Sequence, residues 1–164
     1  MKSLIVISGA PGSGKSTIAE LLKDKLQSPY IDFGWLREFH LDKEWKNAGK
    51  DEESMAFENL VFILKNYIKH GYKNVVITDL EDSRVQEISK YFRDEKYIII
   101  SLTIENDEEL KNRISGRDSG FKNIEEALNW NRNLKTRKAL ANECKIDNTH
   151  NNPNQILEEI LKLV

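Results

Sequence analysis

The sequence predicts an α/β protein, a parallel sheet covered on both faces by helices, and three observations carry that prediction. Short runs of β-type residues alternate along the chain with longer stretches of helical periodicity. The strand runs are apolar at successive positions, as in "LIVIS" (Leu4–Ser8), which suits a sheet buried on both sides. Between the first strand run and the first helical run stands "GAPGSGKS" (Gly9–Ser16), a G-x-x-x-x-G-K-S pattern at a strand-to-helix junction.

Each element has its own signal. After "LIVIS", the stretch from Lys15 or Ser16 to Leu26 places Ile18, Leu21, Leu22 and Leu26 on one helical face. "PYID" (Pro29–Asp32) reads as a short strand that runs into a helix through "FGWLRE". "MAFENLVFILKNYIKHG" (Met55–Gly71) carries Phe57, Leu60, Val61, Leu64 and Ile68 at helical spacing and stops at a glycine. "NVVITD" (Asn74–Asp79) is the third strand, and "SRVQEISKYF" (Ser83–Phe92) a helix. "YIIISLTI" (Tyr97–Ile104) is the fourth strand. "NDEELKNRISG" (Asn106–Gly116) reads as a helix capped by Asn106 or Asp107, with acids in its first turn. "IEEALNWNRNLKTRKAL" (Ile124–Leu140) is helical, "CKID" (Cys144–Asp147) a fifth strand, and "NPNQILEEILKLV" a last helix with Asn152 as cap and Pro153 at its first position. No linker or repeat divides the chain, so residues 1–164 read as one domain. "RDSGFKN" (117–123), polar, charged and containing Gly120, reads as a mobile loop.

Composition narrows the function classes. Hydrophobic residues make up 39% and charged residues 32%, a globular rather than disordered balance. With 25 basic and 27 acidic residues the net charge is -2, too little field to draw in nucleic acid or an anionic membrane. Any anion site must therefore be local. The lone Cys144 cannot form an internal disulfide, and no apolar run approaches the roughly 20 residues of a membrane helix. "MKSLIVIS" lacks the pattern of a secretory leader, so a cytoplasmic protein is expected.

The glycine-rich junction is where such a local site would form. Its glycines let successive N–H groups converge on phosphate oxygens, and the following helix adds partial positive charge. The alternative is a plain glycine turn. By composition alone the pattern arises by chance in on the order of one chain in two hundred of this length. "GAPGSGKST" resembles the Walker A motif of P-loop nucleoside-triphosphate-binding proteins. The short loop, the small size and the segments downstream of the loop resemble the nucleoside monophosphate kinase-like group, with adenylate, cytidylate, shikimate and gluconate kinases and chloramphenicol phosphotransferase among its members. That resemblance implies a three-layer α/β/α fold with a five-stranded parallel sheet of order 2-3-1-4-5 and a small lid at 117–123. It implies ATP and Mg²⁺, with Gly9, Pro11, Gly12, Ser13, Gly14, Lys15, Ser16 and Thr17 around the phosphates. Ser16 and Asp79, the acid closing the third strand, are the expected Mg²⁺ ligands.

Further candidates come from matching segments. "LKNRISGRDSGF" resembles the R-x-x-x-R at the start of these kinases' lid, and "NIEEALNWNR" their post-lid region. Arg113, Arg117 and Arg132 are thus candidates for neutralising the moving phosphoryl charge. "YIDFGWLRE" is similar to the acceptor region of cytidylate and adenylate kinases, with one residue fewer between Gly34 and Arg37. It nominates Asp32 as an acceptor-binding group or general base and Arg37 as an anion clamp. Trp35 would stack on a ring or fill the core. "DLEDSR" stands where monophosphate kinases have D-G-x-P-R; Arg84 is the substitute arginine, and Glu81 and Asp82 would repel a phosphorylated acceptor. Backbone groups of Asn148–Asn151 would meet the base.

The expected activity is ATP-dependent phosphoryl transfer to a hydroxyl or phosphate of a small molecule. An ATP-hydrolysing switch and a polynucleotide 5′-hydroxyl kinase are the alternatives. The absence of N-K-x-D and the acidic balance weigh against a GTPase and a nucleic-acid partner.

Overall fold

A computed structural model describes residues 1–116 and 120–164. Its elements follow the expected alternation: β1 (Leu4–Gly9), α1 (Lys15–Leu26), β2 (Tyr30–Asp32), α2 (Phe33–Glu38), α3 (Lys50–Lys69), β3 (Val75–Thr78), α4 (Asp82–Tyr91), β4 (Tyr97–Thr103), α5 (Asp107–Ser115), α6 (Ile124–Thr136), β5 (Glu143–Asp147) and α7 (Pro153–Leu161). The five strands form one parallel sheet in the order β2-β3-β1-β4-β5, as the resemblance implied. The chain leaves β1 toward one edge and later returns to β1's other side as β4. The carboxyl end of β1 is therefore the switch point, where sheets of this type bind ligands.

Alternation along the strands builds two cores. Leu4, Val6, Val75, Ile77, Tyr97 and Ile99 face a layer formed with α3 and α4, through Phe57, Leu60, Leu64, Val85 and Ile88. Their sequence neighbours Ile5, Ile7, Val76, Ile98 and Ile100 face the opposite layer, with Ile18 and Leu22 of α1 and Ile156 and Ile160 of α7. A smaller cluster, Ile104, Leu110, Ile114, Ala127 and Leu128, joins α5 to α6 near the sheet's carboxyl edge.

Two helix boundaries differ most from the periodicity reading. α3 starts at Lys50, ahead of Met55, because Asp51, Glu52 and Glu53 favour the positive end of the helix and the Glu52 carboxylate reaches back to the Gly49 N–H at 3.5 Å. α6 stops at Thr136, short of Leu140. The Lys145 ammonium donates to the carbonyls of Leu134 (2.6 Å) and Arg137, satisfying groups that a longer helix would have bonded internally. Arg137 leaves the helix in an extended conformation and forks onto Asp82 and Glu143. The Glu143 side chain has no exposed surface, and the Arg137 and Ser101 hydrogen bonds hold its carboxyl below the usual range against the cost of burial.

Candidate active site

The loop at the end of β1 is shaped by its own backbone. Gly9 and Gly14 have φ of 147° and 96°, values that side chains disfavour. A Cβ on Gly9 would lie 2.7 Å from the Leu102 carbonyl, and one on Gly14 2.7 Å from Asn148 Nδ2. The Ser13 N–H donates to Ala10 O at 3.1 Å, closing the turn. Asn148, buried at the end of β5, donates its amide to Ser13 O at 2.8 Å and ties the loop to the sheet. α1 then begins with no side chain capping it and no acid in its first turn. Its first N–H groups and the buried, unpartnered Ser13 hydroxyl fit a bound phosphate, which would supply their missing acceptors. The Lys15 ammonium curls over the loop and donates to Ala10 O at 3.2 Å.

Two cavities flank this loop. One, of about 280 Å³, is bounded by Gly12, Gly14, Thr17, Arg113, Asn148 and Asn151. The other, of about 660 Å³, opens onto Lys15, Ser16 and Asp79 and extends between α2, α3 and α6. Its remaining wall includes Phe33, Arg37, Glu53, Glu81, Phe121 and Trp130. The larger volume falls in the range of small-molecule sites.

The candidate residues divide between these places. Asp79 lines the larger cavity from a left-handed backbone position, φ 66°, at the end of β3. Ser16 lines it too. A hydroxyl and a carboxylate are hard oxygen donors of the kind Mg²⁺ takes while keeping several waters. Among the described residues no group of three His, Cys, Asp or Glu could hold a metal without such help. Arg37 also lines the cavity, but two of its N–H groups already bond Glu52, at 2.9 and 2.5 Å, and its guanidinium lies 4.9 Å from the Trp45 ring centre. The Arg37 hydrogen bonds, helped by His40, pull the Glu52 carboxyl down to about 2. Arg37 is thus an already neutralised cation.

Other placements correct the sequence reading. Asp32 does not line the larger cavity. One of its oxygens caps α2 by accepting from the Gly34 N–H at 2.9 Å, and the other accepts from the Thr78 hydroxyl at 3.0 Å and the Tyr30 phenol at 3.3 Å. Burial, with Asp32 alongside, pushes that phenol up to about 12. Arg84 does not line the larger cavity either. It forks onto Glu53 (2.6 and 3.0 Å), bonds Glu87 and Ser54, and covers the Phe57 ring, so it is a strut between α4 and α3. Arg132 is held on Asp107 at the surface, because helical spacing turns Glu126 and Trp130 toward the cavity in its place. Arg113 sits by the smaller cavity, bonded to Glu109 (2.7 Å) and Thr149 O (2.8 Å). Arg117 lies outside the described residues. Trp35 is neither core nor cavity wall; it is 49% exposed and leans on Tyr30. Asp82 is the partner of Arg137.

Phe33, Trp45, Glu53, Glu126, Phe121 and Trp130 were not nominated from sequence. A signal was available for two of them, since Glu126 and Trp130 stand four apart on one helix face. Phe121 and Trp45, large aromatics in otherwise polar loops, were a weaker one.

The family model of an AAA domain matches residues 5–157. The chain belongs to that family. A Pyrococcus abyssi protein named "Putative adenylate kinase" is 28% identical over 162 residues, 98% of this chain and 83% of that protein. The fold is shared with a solved sugar kinase from a Janibacter species, at a TM-score of 0.73 and 16% identity over 99% of this chain and 94% of the other. It is shared equally with a gluconokinase from Sinorhizobium meliloti, at a TM-score of 0.70 and 17% identity over 97% and 89%. In this AAA-domain protein the segment from Gly9 to Thr17 carries the G-x-x-x-x-G-K-[ST] pattern of a P-loop. Among the described residues no helix is long and apolar enough to cross a membrane.

Proposed function

We propose that this P-loop phosphotransferase moves the γ-phosphoryl group of ATP to a hydroxyl or phosphate oxygen of a small molecule held in the larger cavity. The observation that carries this reading is the pair of chambers on either side of one loop. A hydrolytic switch needs room for a water; here about 660 Å³ opens directly onto Lys15 and Ser16. The smaller cavity, with Arg113, Asn148 and Asn151, suits the nucleoside end of ATP. Relatives named as adenylate kinases, and neighbours named as sugar and gluconate kinases, agree with transfer to a small acceptor.

The residues divide the work. Backbone N–H groups from Gly12 to Ser16 and the start of α1 hold the β- and γ-phosphates, and Lys15 offsets their charge. Ser16 and Asp79 would hold Mg²⁺, which when bound neutralises and orients the triphosphate. The acceptor oxygen bonds to the γ-phosphorus as the bond to the bridging oxygen breaks, and a cavity carboxylate takes the acceptor's proton where it has one. Catalysis here is chiefly positioning and electrostatics. Asp32 acts one layer back, fixing the start of α2 and with it Phe33 and Arg37. Residues 1–164 act as one unit. Of the lid expected at 117–123, residues 117–119 lie outside the described residues, while Gly120 and Phe121 line the cavity wall.

The test is ADP release from ATP and Mg²⁺, with and without nucleosides, nucleoside monophosphates, sugars, sugar acids and amino alcohols. Strong stimulation by one compound supports transfer. Slow hydrolysis indifferent to all of them overturns it in favour of a nucleotide switch.

A further inference from the structure

The charge and chemistry of the larger cavity restrict what the acceptor is. Among the described residues five carboxylates line it, from Glu38, Glu53, Asp79, Glu81 and Glu126, against two cations, Lys15 and Arg37. Glu53 is paired with Arg84, and Arg37 with Glu52. Lys15 belongs to the phosphate side. What remains on the acceptor side is acidic, and no ion pair is formed by Glu38, Glu81 or Glu126 among the described residues. Bound ATP would add further negative charge beside them.

Much of the remaining wall is aromatic. Phe33, Trp45, Phe121 and Trp130 line the same space. The Trp130 indole Nε1 is buried without a hydrogen-bond partner, a donor left over at the wall. Aromatic faces beside unpaired carboxylates are the surroundings in which an organic ammonium group is held, by ring quadrupoles and by charge together. A phosphate monoester or carboxylate would meet repulsion here instead, with Arg37 already occupied.

We infer that the acceptor is a small alcohol carrying an ammonium group, with the cation lodged between Glu81, Glu126 and the aromatic wall and a hydroxyl turned toward Lys15. This deepens the phosphotransferase reading and rests on it. Phosphorylation then forms a phosphate ester on the hydroxyl, releases ADP and leaves the nitrogen untouched.

The experiment compares matched acceptors on one scaffold, for example glucosamine, N-acetylglucosamine and glucose 6-phosphate, and an aromatic amino alcohol with its N-acetyl and carboxylate counterparts. The readout is kcat/KM for label transfer from γ-labelled ATP. The ammonium member of at least one series should exceed its N-acetyl partner about tenfold and its anionic partner by more, the size of a charge-assisted hydrogen bond. That preference should shrink as salt rises, because Glu81 and Glu126 are exposed rim groups. In Glu81→Gln and Glu126→Gln the ratio of ammonium to N-acetyl kcat/KM should fall several-fold. Equal use of both members, or preference for the anionic one, overturns the inference and leaves phosphoryl transfer standing. If label enters only inorganic phosphate with every compound, the phosphotransferase reading falls and this inference with it.

Discussion

The two chambers beside Lys15 are built in opposite ways. On the proposed reading the nucleotide side is made of nine successive residues, Gly9–Thr17, whose backbone would do the binding, helped by Asn148 just past β5. The proposed acceptor side is made of side chains brought from α2, the loop before α3, α3, the turn after β3, and α6 with the loop before it. One side presents N–H groups and a lysine; the other presents carboxylates and rings. A backbone cradle serves any triphosphate, whereas side chains can be exchanged one at a time. Nucleotide use is thereby fixed by the motif and acceptor choice is left to the scaffold around it.

Substitutions that separate the two sides test that division. The largest effect should come from Lys15→Ala, which removes the cation beside the phosphates and should lower turnover by about 10²–10³-fold or more. Asp79→Asn should lower transfer by about 10²-fold while nucleotide binding changes little. Asparagine tolerates the left-handed backbone at this position, so the fold should survive, as thermal melting would verify.

Stability measurements sharpen the contrast. Arg137→Leu leaves Glu143 buried without its cation and should cost about 3–5 kcal/mol in denaturant titration. It touches neither chamber, so ATP affinity of the folded fraction should hold. Gly14→Ala places a side chain in a left-handed position against Asn148 and should cost about 1–3 kcal/mol, with weaker ATP binding by titration calorimetry.

The smallest effects belong to groups that position the acceptor wall. Asp32→Asn keeps a side chain able to cap α2 and should lose less than about 1 kcal/mol, whereas Asp32→Ala should lose about 0.5–2 kcal/mol. A collapse of transfer in Asp32→Asn with the fold intact would return Asp32 to the chemistry. Glu52 makes an acid-side prediction. Its folded carboxyl lies lower than the usual 4.5, at about 2, so its contribution is present above 4.5 and is lost as pH falls from there toward 2. Glu52→Gln should flatten the stability–pH curve in that window.

The same division explains what could be read from the sequence. The strands and the P-loop pattern were legible because each rests on contiguous residues, apolar runs for the strands and glycines and a lysine for the loop, whereas the strand order came from the family resemblance. Helix ends were less so, since α6 is stopped by Lys145, nine residues past Thr136, and by the pull on Arg137. The arginines were hardest. A guanidinium at the right spacing resembles a phosphate ligand until its partner is known, and the partners of Arg84 and Arg132 lie 31 and 25 residues away. Asp32 was ambiguous for the same reason, because a carboxylate before a helix serves equally as cap and as catalyst.

The most direct measurement follows the label of γ-labelled ATP in the wild-type protein and in Asp79→Asn, with the acceptors above present. Appearance of label in an organic phosphate ester, lost in Asp79→Asn while ATP still binds, is the predicted result. Label found only in inorganic phosphate, at a rate insensitive both to acceptors and to Asp79, would contradict the two-chamber account.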